Sequence, residues 1–316
     1  MNLIEQAAKR LEQLRQAGVE IPEFHGASAA VQGAQLPDAP TRASPLVTSR
    51  MVELDIDALA AKGLITPNSP RSFLADQYRV IKRPLIANAI SRGESAVKHA
   101  NLIMVTSALS GEGKSFTSIN LAMSIAAEMD HTVMLVDADV ARPSVLKVLG
   151  IEPAPGLLEV LEGKADLSST LLRTNIDKLT LLPSGTPHPK ATELLASESM
   201  AALLDDISTR YADRIVIFDS PPLLLTTESR VLASRMGQIV VVVQAGRTLQ
   251  ADVQNALTTI DTCPIRMMIL NKARSIGKDA YGYGYGYGYG YGYGYGYGYG
   301  SGAQGGASEP PMAAKG

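Results

Sequence analysis

The apolar residues of this 316-residue chain follow different rhythms in successive regions. In residues 2–17, Leu3, Ile4, Ala7, Ala8, Leu11 and Leu14 recur at helical spacing, with Glu5, Lys9, Arg10, Glu12 and Arg15 opposite. This predicts an amphipathic helix within residues 1–20. Residues 21–50 mix Pro, Gly, Ala and Ser with little periodicity and read as a linker. Residues 51–97 read as a helical lead-in, chiefly Arg71–Ile90, which Pro84 should kink or interrupt. From 98 to 272, short unbroken apolar runs alternate with helical stretches. The runs are Asn101–Thr106, Val133–Val136, Leu179–Leu182, Ile215–Phe218, Ile239–Val243 and Met267–Leu270. The helical stretches are Phe116–Met129, Ser199–Arg210, Glu228–Arg235 and Thr248–Ile260. That alternation predicts an α/β fold, a doubly wound and mostly parallel sheet covered on both faces. Such sheets bind ligands where loops leave the carboxyl ends of the strands.

The last region breaks the composition. From Tyr281 to Gly300 the chain repeats Tyr-Gly ten times, placing Tyr281, Tyr283, Tyr285, Tyr287, Tyr289, Tyr291, Tyr293, Tyr295, Tyr297 and Tyr299 at every second position. Only Tyr78 and Tyr211 lie elsewhere. Half the repeat is glycine, the residue that loses most freedom on ordering, and it holds no aliphatic side chain. Residues 273–316 are therefore expected to be a disordered tail.

Charge and cysteine content narrow the function classes. With 29 basic and 31 acidic residues the net charge is −2, which offers no general attraction to nucleic acid. A single cysteine, Cys263, excludes a disulfide framework and suits a reducing cytoplasm. The four histidines, His25, His99, His131 and His188, never pair at zinc-ligand spacing. The longest strongly apolar run, Ile239–Val243, is far shorter than a membrane span, and the first residues carry acids rather than an apolar signal core.

The candidate chemistry lies at strand ends. After the run Asn101–Thr106 comes Ser107-Ala108-Leu109-Ser110-Gly111-Glu112-Gly113-Lys114-Ser115, then a helix. It matches the phosphate-binding loop G-x-x-x-x-G-K-[ST] with Ala108 at the first glycine position. Gly111 and Gly113 let successive N–H groups curl around phosphate oxygens, and the helix N-terminus adds positive potential. Lys114 would reach the β- and γ-phosphates and the Ser115 hydroxyl would ligate Mg²⁺. The next strand runs into Asp137-Ala138-Asp139-Val140-Ala141-Arg142-Pro143. Two carboxylates two residues apart can hold metal and accept a proton from an attacking hydroxyl; alternatively one of them, more readily Asp139, caps a helix opening at Pro143. Asp219 ends the run Ile215–Phe218, the usual second metal-side element of P-loop proteins. Asn271 ends the last strand and could touch an adenine base or serve a turn or cap.

Together the loop ALSGEGKS, the DADxxRP strand end, the IVIFDSPP strand and the terminal tyrosine cluster resemble bacterial tyrosine kinases of the P-loop type, over roughly residues 70–300. The lead-in Tyr78-Arg79-Val80-Ile81-Lys82-Arg83-Pro84 resembles the exosortase-associated branch. The resemblance implies a P-loop NTPase sheet, ATP and Mg²⁺ as cofactors, and control of exopolysaccharide assembly by autophosphorylation. It makes Ala108–Ser115 the Walker A loop, with Lys114 on the phosphates, Asp137 and Asp139 the Walker A′ acids, Asp219 the Walker B acid and the tail tyrosines the phosphate acceptors. Ser115, Asp139 and Asp219 would hold the metal, and Asp137 is the candidate base. The family often has Arg where this chain has Ala141. Its oligomerisation motif E-x-x-R-x-x-R stands here as Asp76-x-x-Arg79-x-x-Lys82, which is either a subunit interface or an exposed helix face with an i,i+3 pair.

Tyrosine at every second position means that sliding the tail by two residues presents an equivalent substrate. Ala280–Tyr299 has a typical reach of about 25 Å, enough for a neighbouring subunit. Each phosphate adds about −1.5 to −2 charge, so a fully modified tail could drive an oligomer apart. The implied partners are a homo-oligomer, a membrane activator of the polysaccharide chain-length (copolymerase) type and a cognate phosphotyrosine phosphatase, with no nucleic acid. The implied location is cytoplasmic, peripheral at the inner membrane face through the activator. The N-terminal helix could meet the activator or lipid. Two other classes compete: a P-loop switching ATPase of the partitioning type, whose signature lysine is Leu109 here, and a non-enzymatic scaffold assembled by its tail.

Overall fold

The computed structural model describes residues 49–67, 72–93, 96–210 and 214–273. The chain divides into Met1–Val47 and Thr48–Gly316, and all described residues belong to the second unit. The expected helix at 1–20, nearly all of the linker and the ten tail tyrosines lie outside the described residues.

Eight strands form one sheet among the described residues: β1 (Arg50–Val52), β2 (Leu102–Ser107), β3 (Thr132–Asp137), β4 (Leu172–Thr174), β5 (Leu179–Leu182), β6 (Arg214–Asp219), β7 (Gln238–Gln244) and β8 (Ile265–Asn271). Their order is β1-β4-β5-β3-β6-β2-β7-β8. All neighbours run parallel except β4 and β5, so the expected doubly wound, mostly parallel sheet is what forms. β2 is buried along its whole length, and its apolar run Leu102–Val105 is that of a strand covered on both faces. β8 alternates half-buried and exposed residues because it is the edge. Two apolar cores lie on the two faces, one around Phe218, Met104 and Leu195, the other around Leu121, Ile125 and Leu85.

The helices are α1 (Ile56–Ala61), α2 (Phe73–Ile90), α3 (Lys114–Ala126), α4 (Val145–Leu149), α5 (Leu157–Leu161), α6 (Leu167–Thr170), α7 (Ala191–Ala196), α8 (Glu198–Arg210), α9 (Glu228–Ala233) and α10 (Gln250–Thr258). The region before the sheet is not purely helical. β1 pairs with β4, and Asn175 fixes the exit of β1 by accepting from Leu54 N at 2.9 Å and donating to Leu54 O at 3.0 Å. Strands of three residues are too short to show a period of two, so neither β1 nor β4 stands out in the sequence. Val52, Leu54, Leu59, Tyr78 and Leu85 all join the core on the α3 face.

Pro84 does not interrupt α2, which runs unbroken from Phe73 to Ile90. The carbonyl that loses its partner belongs to Val80, four residues back, and Val80 is 73% exposed, so water can serve it. Likewise the helix expected at Pro143 opens two residues later, at Val145.

Candidate functional site

β2 delivers the chain into the phosphate loop at the carboxyl edge of the sheet, and α3 begins at Lys114. Gly111 and Gly113 both take left-handed backbone, φ 85° and 105°. Gly113 has a second constraint: a Cβ there would lie 2.1 Å from Asn271 Nδ2. The loop is braced from the β7–β8 side. Asn271 donates to Glu112 O at 2.8 Å, and Lys272 Nζ donates to Gly111 O at 2.7 Å. The Glu112 side chain turns inward, only 3% exposed, and accepts from Leu109 N at 2.6 Å, from Gln244 N at 3.5 Å and from the Thr248 hydroxyl. Glu112 thus holds the loop's shape with its carboxylate, leaving only its backbone to face a phosphate. Ala108 is buried, Leu109 packs on the core and Ser110 is exposed. In this structure Asn271 is a loop brace.

On the other side of β2, Asp137 and Asp219 are register partners on adjacent strands, so both carboxylates end on one face at one level. Asp137 Oδ2 accepts from Ser144 N at 3.0 Å and Val145 N at 2.9 Å, the first N–H groups of α4. As the alternative to a metal-side role, the sequence offered a helix cap, more readily for Asp139; the structure gives the cap to Asp137, because α4 starts beyond Pro143 and swings back to the strand end. Asp139 instead closes its own turn, accepting from Arg142 N at 3.2 Å, and lies 3.6 Å from Lys114 Nζ. Asp219 Oδ1 accepts from the Ser118 hydroxyl at 3.0 Å, and the Ser144 hydroxyl donates to Ser115 Oγ at 2.7 Å. Ser118 and Ser144 were not singled out by sequence reasoning. The available signal was position: Ser118 stands one helical turn after Lys114, and Ser144 follows the DADxxRP run.

Two buried oxygens, Asp137 Oδ1 and Asp219 Oδ2, have no hydrogen-bond partner among the described residues. Burial pushes the Asp137 carboxyl up to about 7, with the Asp219 charge adding to it and the Val145 and Ser144 amides opposing. Burial raises Asp219 to about 6, opposed by the nearby Ser115 hydroxyl, Lys114 and the Ser118 hydroxyl. Asp139 is also raised by burial, with Lys114 beside it opposing. Among the described residues no three His, Cys, Asp or Glu side chains converge as a metal cage. Mg²⁺ needs no such cage in a P-loop, since a hydroxyl, one or two carboxylates, water and phosphate oxygens complete its six positions. The Ser115 hydroxyl, the partnerless Asp219 oxygen and the left-handed backbone at Gly111 and Gly113 fit Mg²⁺ bound with a nucleotide.

Residues 100–272 match the family model described as an AAA domain. The tyrosine-protein kinase YwqD of Bacillus subtilis is 31% identical over 223 residues, 70% of this chain and 90% of the relative. The VpsO kinase domain superposes with a TM-score of 0.53 at 27% identity, covering 63% of this chain and 96% of that one. The chain belongs to the bacterial tyrosine-protein kinases. Some relatives are far longer: the kinase spans only 26% of the tyrosine-protein kinase wzc of Salmonella typhi, at 32% identity.

The kinase brings together most of its expected site residues (Lys114, Ser115, Asp137, Asp139, Asp219), with Gly113 and Asn271 completing the loop. It does not keep the charged trio on one surface. Asp76 and Arg79 form an exposed i,i+3 pair, but Lys82 is 4% exposed. Lys82 Nζ donates to Ser124 O, near the C-terminus of α3, and lies 2.7 Å from Glu128. A lysine stem long enough to reach helix-end carbonyls is held there by the dipole and by Glu128, whose carboxyl it draws down. Lys82 is therefore an internal tie rather than a surface contact. Tyr78 is buried too, which leaves its hydroxyl unsuited as an acceptor. Among the described residues no helix is long and apolar enough to cross a membrane.

Proposed function

We propose that this chain is an ATP- and Mg²⁺-dependent tyrosine autokinase whose acceptors are Tyr281–Tyr299. The observation that carries the reading is the pair of partnerless carboxylate oxygens, on Asp137 and Asp219, beside a loop shaped for phosphates. The Gly111–Ser115 amides and Lys114 would bind the phosphates, and Ser115, Asp139 and Asp219 would hold Mg²⁺. Bound there, the metal neutralises charge developing on the phosphate oxygens. Asp137 would orient the tyrosine hydroxyl and take its proton, since a carboxyl poised near neutrality is suited to that exchange. Ser118 fixes Asp219, and the Ser144 amide fixes Asp137.

The wider role follows from the family resemblance. The kinase phosphorylates its tail in trans within a homo-oligomer, with Asp76 and Arg79 the exposed remainder of the interface motif. It is switched on by a separate membrane activator of the polysaccharide chain-length type, is reversed by a phosphotyrosine phosphatase, and regulates exopolysaccharide synthesis from the cytoplasmic face. The lead-in Tyr78–Pro84 resembles the exosortase-associated branch.

Intact-mass analysis tests the core of this. The wild type and Lys114→Met are each expressed with the activator. A ladder of added phosphates, absent in Lys114→Met and mapped to Tyr281–Tyr299, is the expected result. ATP-driven dimerisation without phosphotyrosine would point instead to a switching ATPase.

A further inference from the structure

The sheet ends in two unequal edges. β1 is three residues long and offers another chain little to pair with. β8 is seven residues long, holds no proline and carries a single charge, Arg266. Asn271 O accepts from Ala245 N at 2.9 Å, so Asn271 faces β7. The N–H and C=O of one residue point to the same side of a strand and successive residues alternate, so Arg266, Met268 and Leu270 turn theirs to the free edge. Among the described residues no strand pairs with them. Along that edge runs a groove of about 390 Å³, walled by Leu74, Gln77, Val80 and Ile81 of α2 and by the strand at Met268–Leu270. Val80, Met268 and Leu270 are largely exposed.

We propose that this groove is the docking site of the chain's own Tyr-Gly repeat, a stretch of Tyr281–Tyr299 adding to the free edge of β8 as an antiparallel strand. The docking is independent of the kinase reading; its consequence, that a tyrosine held in the groove is withheld from phosphorylation, rests on that reading. Three observations point to this occupant. Tyrosine at every second position puts all the rings of an extended chain on one face and only glycine on the other. Rings turned toward α2 enter the groove, where Leu74, Val80 and Ile81 meet their faces and Gln77 can bond a hydroxyl. The exposed Met268 and Leu270 side chains, which project to the other face of the sheet, then lie across bare glycine backbone. The chain path also fits. Lys272 takes left-handed backbone, φ 55°, and turns the chain off the line of β8 as soon as the strand ends. Residues 272–280 separate β8 from the first tail tyrosine, more than the roughly two to five residues a hairpin loop needs, so the reversal is open to the chain.

Strand addition draws its affinity from backbone hydrogen bonds and its selectivity from the pocket that takes alternate side chains. Glycine costs more to order than any other residue, which keeps the added strand weak and releasable. Sliding the repeat by two residues restores every contact, so several registers share the groove and no single tyrosine is permanently hidden.

The test is residue-resolved amide hydrogen exchange on the full-length, unphosphorylated chain without nucleotide. It is compared with a full-length chain whose ten tail tyrosines are changed to Ser, and with Val80→Glu, which puts a charge at the exposed wall of the groove. The N–H groups of Met268 and Leu270 are expected to exchange about tenfold or more slowly in the wild type than in either variant. The amides of Ile103–Val105 in β2 should exchange alike in all three, within about twofold, as the control that the fold is intact. Val80→Leu, which keeps the wall apolar, should retain the slow exchange. Equal exchange at Met268 and Leu270 in the wild type and the Ser-tailed chain overturns the inference and leaves the kinase reading standing. Slow exchange that appears only as protein concentration rises assigns the edge to a second copy and also overturns it. Because no phosphate transfer enters the measurement, a tail that is never phosphorylated would sink the kinase reading without altering this outcome.

Discussion

The two flanks of the phosphate loop are built on opposite rules. On the β7–β8 flank the Glu112 carboxylate, the Asn271 amide and the Lys272 ammonium all have partners. On the β3–β6 flank two buried oxygens, Asp137 Oδ1 and Asp219 Oδ2, have none among the described residues. A buried polar atom without a partner costs about 1–3 kcal/mol, so a fold carries two of them side by side only where something else is gained. The satisfied flank keeps the loop's shape. The unsatisfied flank keeps charge available for a ligand. Substitutions on the two flanks should therefore move stability and activity in different combinations.

The largest effect is expected from Asp137→Asn. Tail phosphorylation should fall about 10²- to 10⁴-fold, while ATP affinity stays within about threefold. Stability should move the other way. The Asp137 carboxyl titrates near 7 in the fold against an ordinary value of 3.8. Between those values the folded chain holds a proton that the unfolded chain has released, so this group's contribution declines as pH rises from about 4 through 7. Asparagine removes that decline and should stabilise the ligand-free protein at pH 8 by something on the order of 2–4 kcal/mol, with no comparable gain at pH 4. Thermal melts at the two pH values read this directly. A variant that melts below the wild type at pH 8 would show that the acid flank carries no strain.

Gly113→Ala attacks the other flank at its tightest point. A side chain at φ 105° is strained by itself, and this one would also displace Asn271. Nucleotide affinity should drop about 100-fold by calorimetry, with stability lower by roughly 2 kcal/mol. The double variant Gly113→Ala with Asn271→Ala removes the clash but not the backbone strain, so it should recover only part of the affinity. Full recovery would mean that the left-handed backbone is dispensable.

How much of this could be read from the sequence depended on what each residue had to do. The long strands announce themselves because both sheet faces are covered, so Val133–Val136 or Ile239–Val243 can be uninterrupted apolar runs. Lys114, Ser115 and the three acids were legible because a phosphate loop admits few residue types at those positions. Lys82 was misread because charge spacing shows which face a residue starts from, not whether a long stem is then swallowed by a neighbouring helix. Asp139 looked the readier cap in the sequence, but the path after Pro143 decides which carboxylate meets α4. Ser118 and Ser144 carry no signal of their own, since a serine is common and its task is set by what folds over it.

Glu112→Gln sharpens the contrast with Asp137→Asn, because a single charge is removed in each. The substituted amide would keep one acceptor oxygen but trade the other for an NH₂ group facing N–H or O–H donors. Stability is expected to fall by about 1–2 kcal/mol and ATP affinity about tenfold, with kcat within about twofold. A loss confined to kcat would place Glu112 with the chemistry and erase the distinction between the flanks.

The smallest effect should come from Lys272→Ala. Lys272 is exposed, holds a left-handed backbone at φ 55°, and spends its ammonium on Gly111 O at 2.7 Å and Gln244 Oε1 at 3.3 Å. Alanine would lose those contacts without relieving the backbone, so stability should fall only slightly, by about 0.5–1 kcal/mol. The loop would lose one of its ties to the β7–β8 flank while those through Asn271 and the Glu112 carboxylate stay. The KM for ATP is therefore expected to rise about threefold, with kcat unchanged. Because Asp137 and Asp219 touch none of these atoms, a change in kcat here would mean that the two flanks communicate through the loop. The loop-bracing flank and the acid flank would then be coupled rather than merely adjacent.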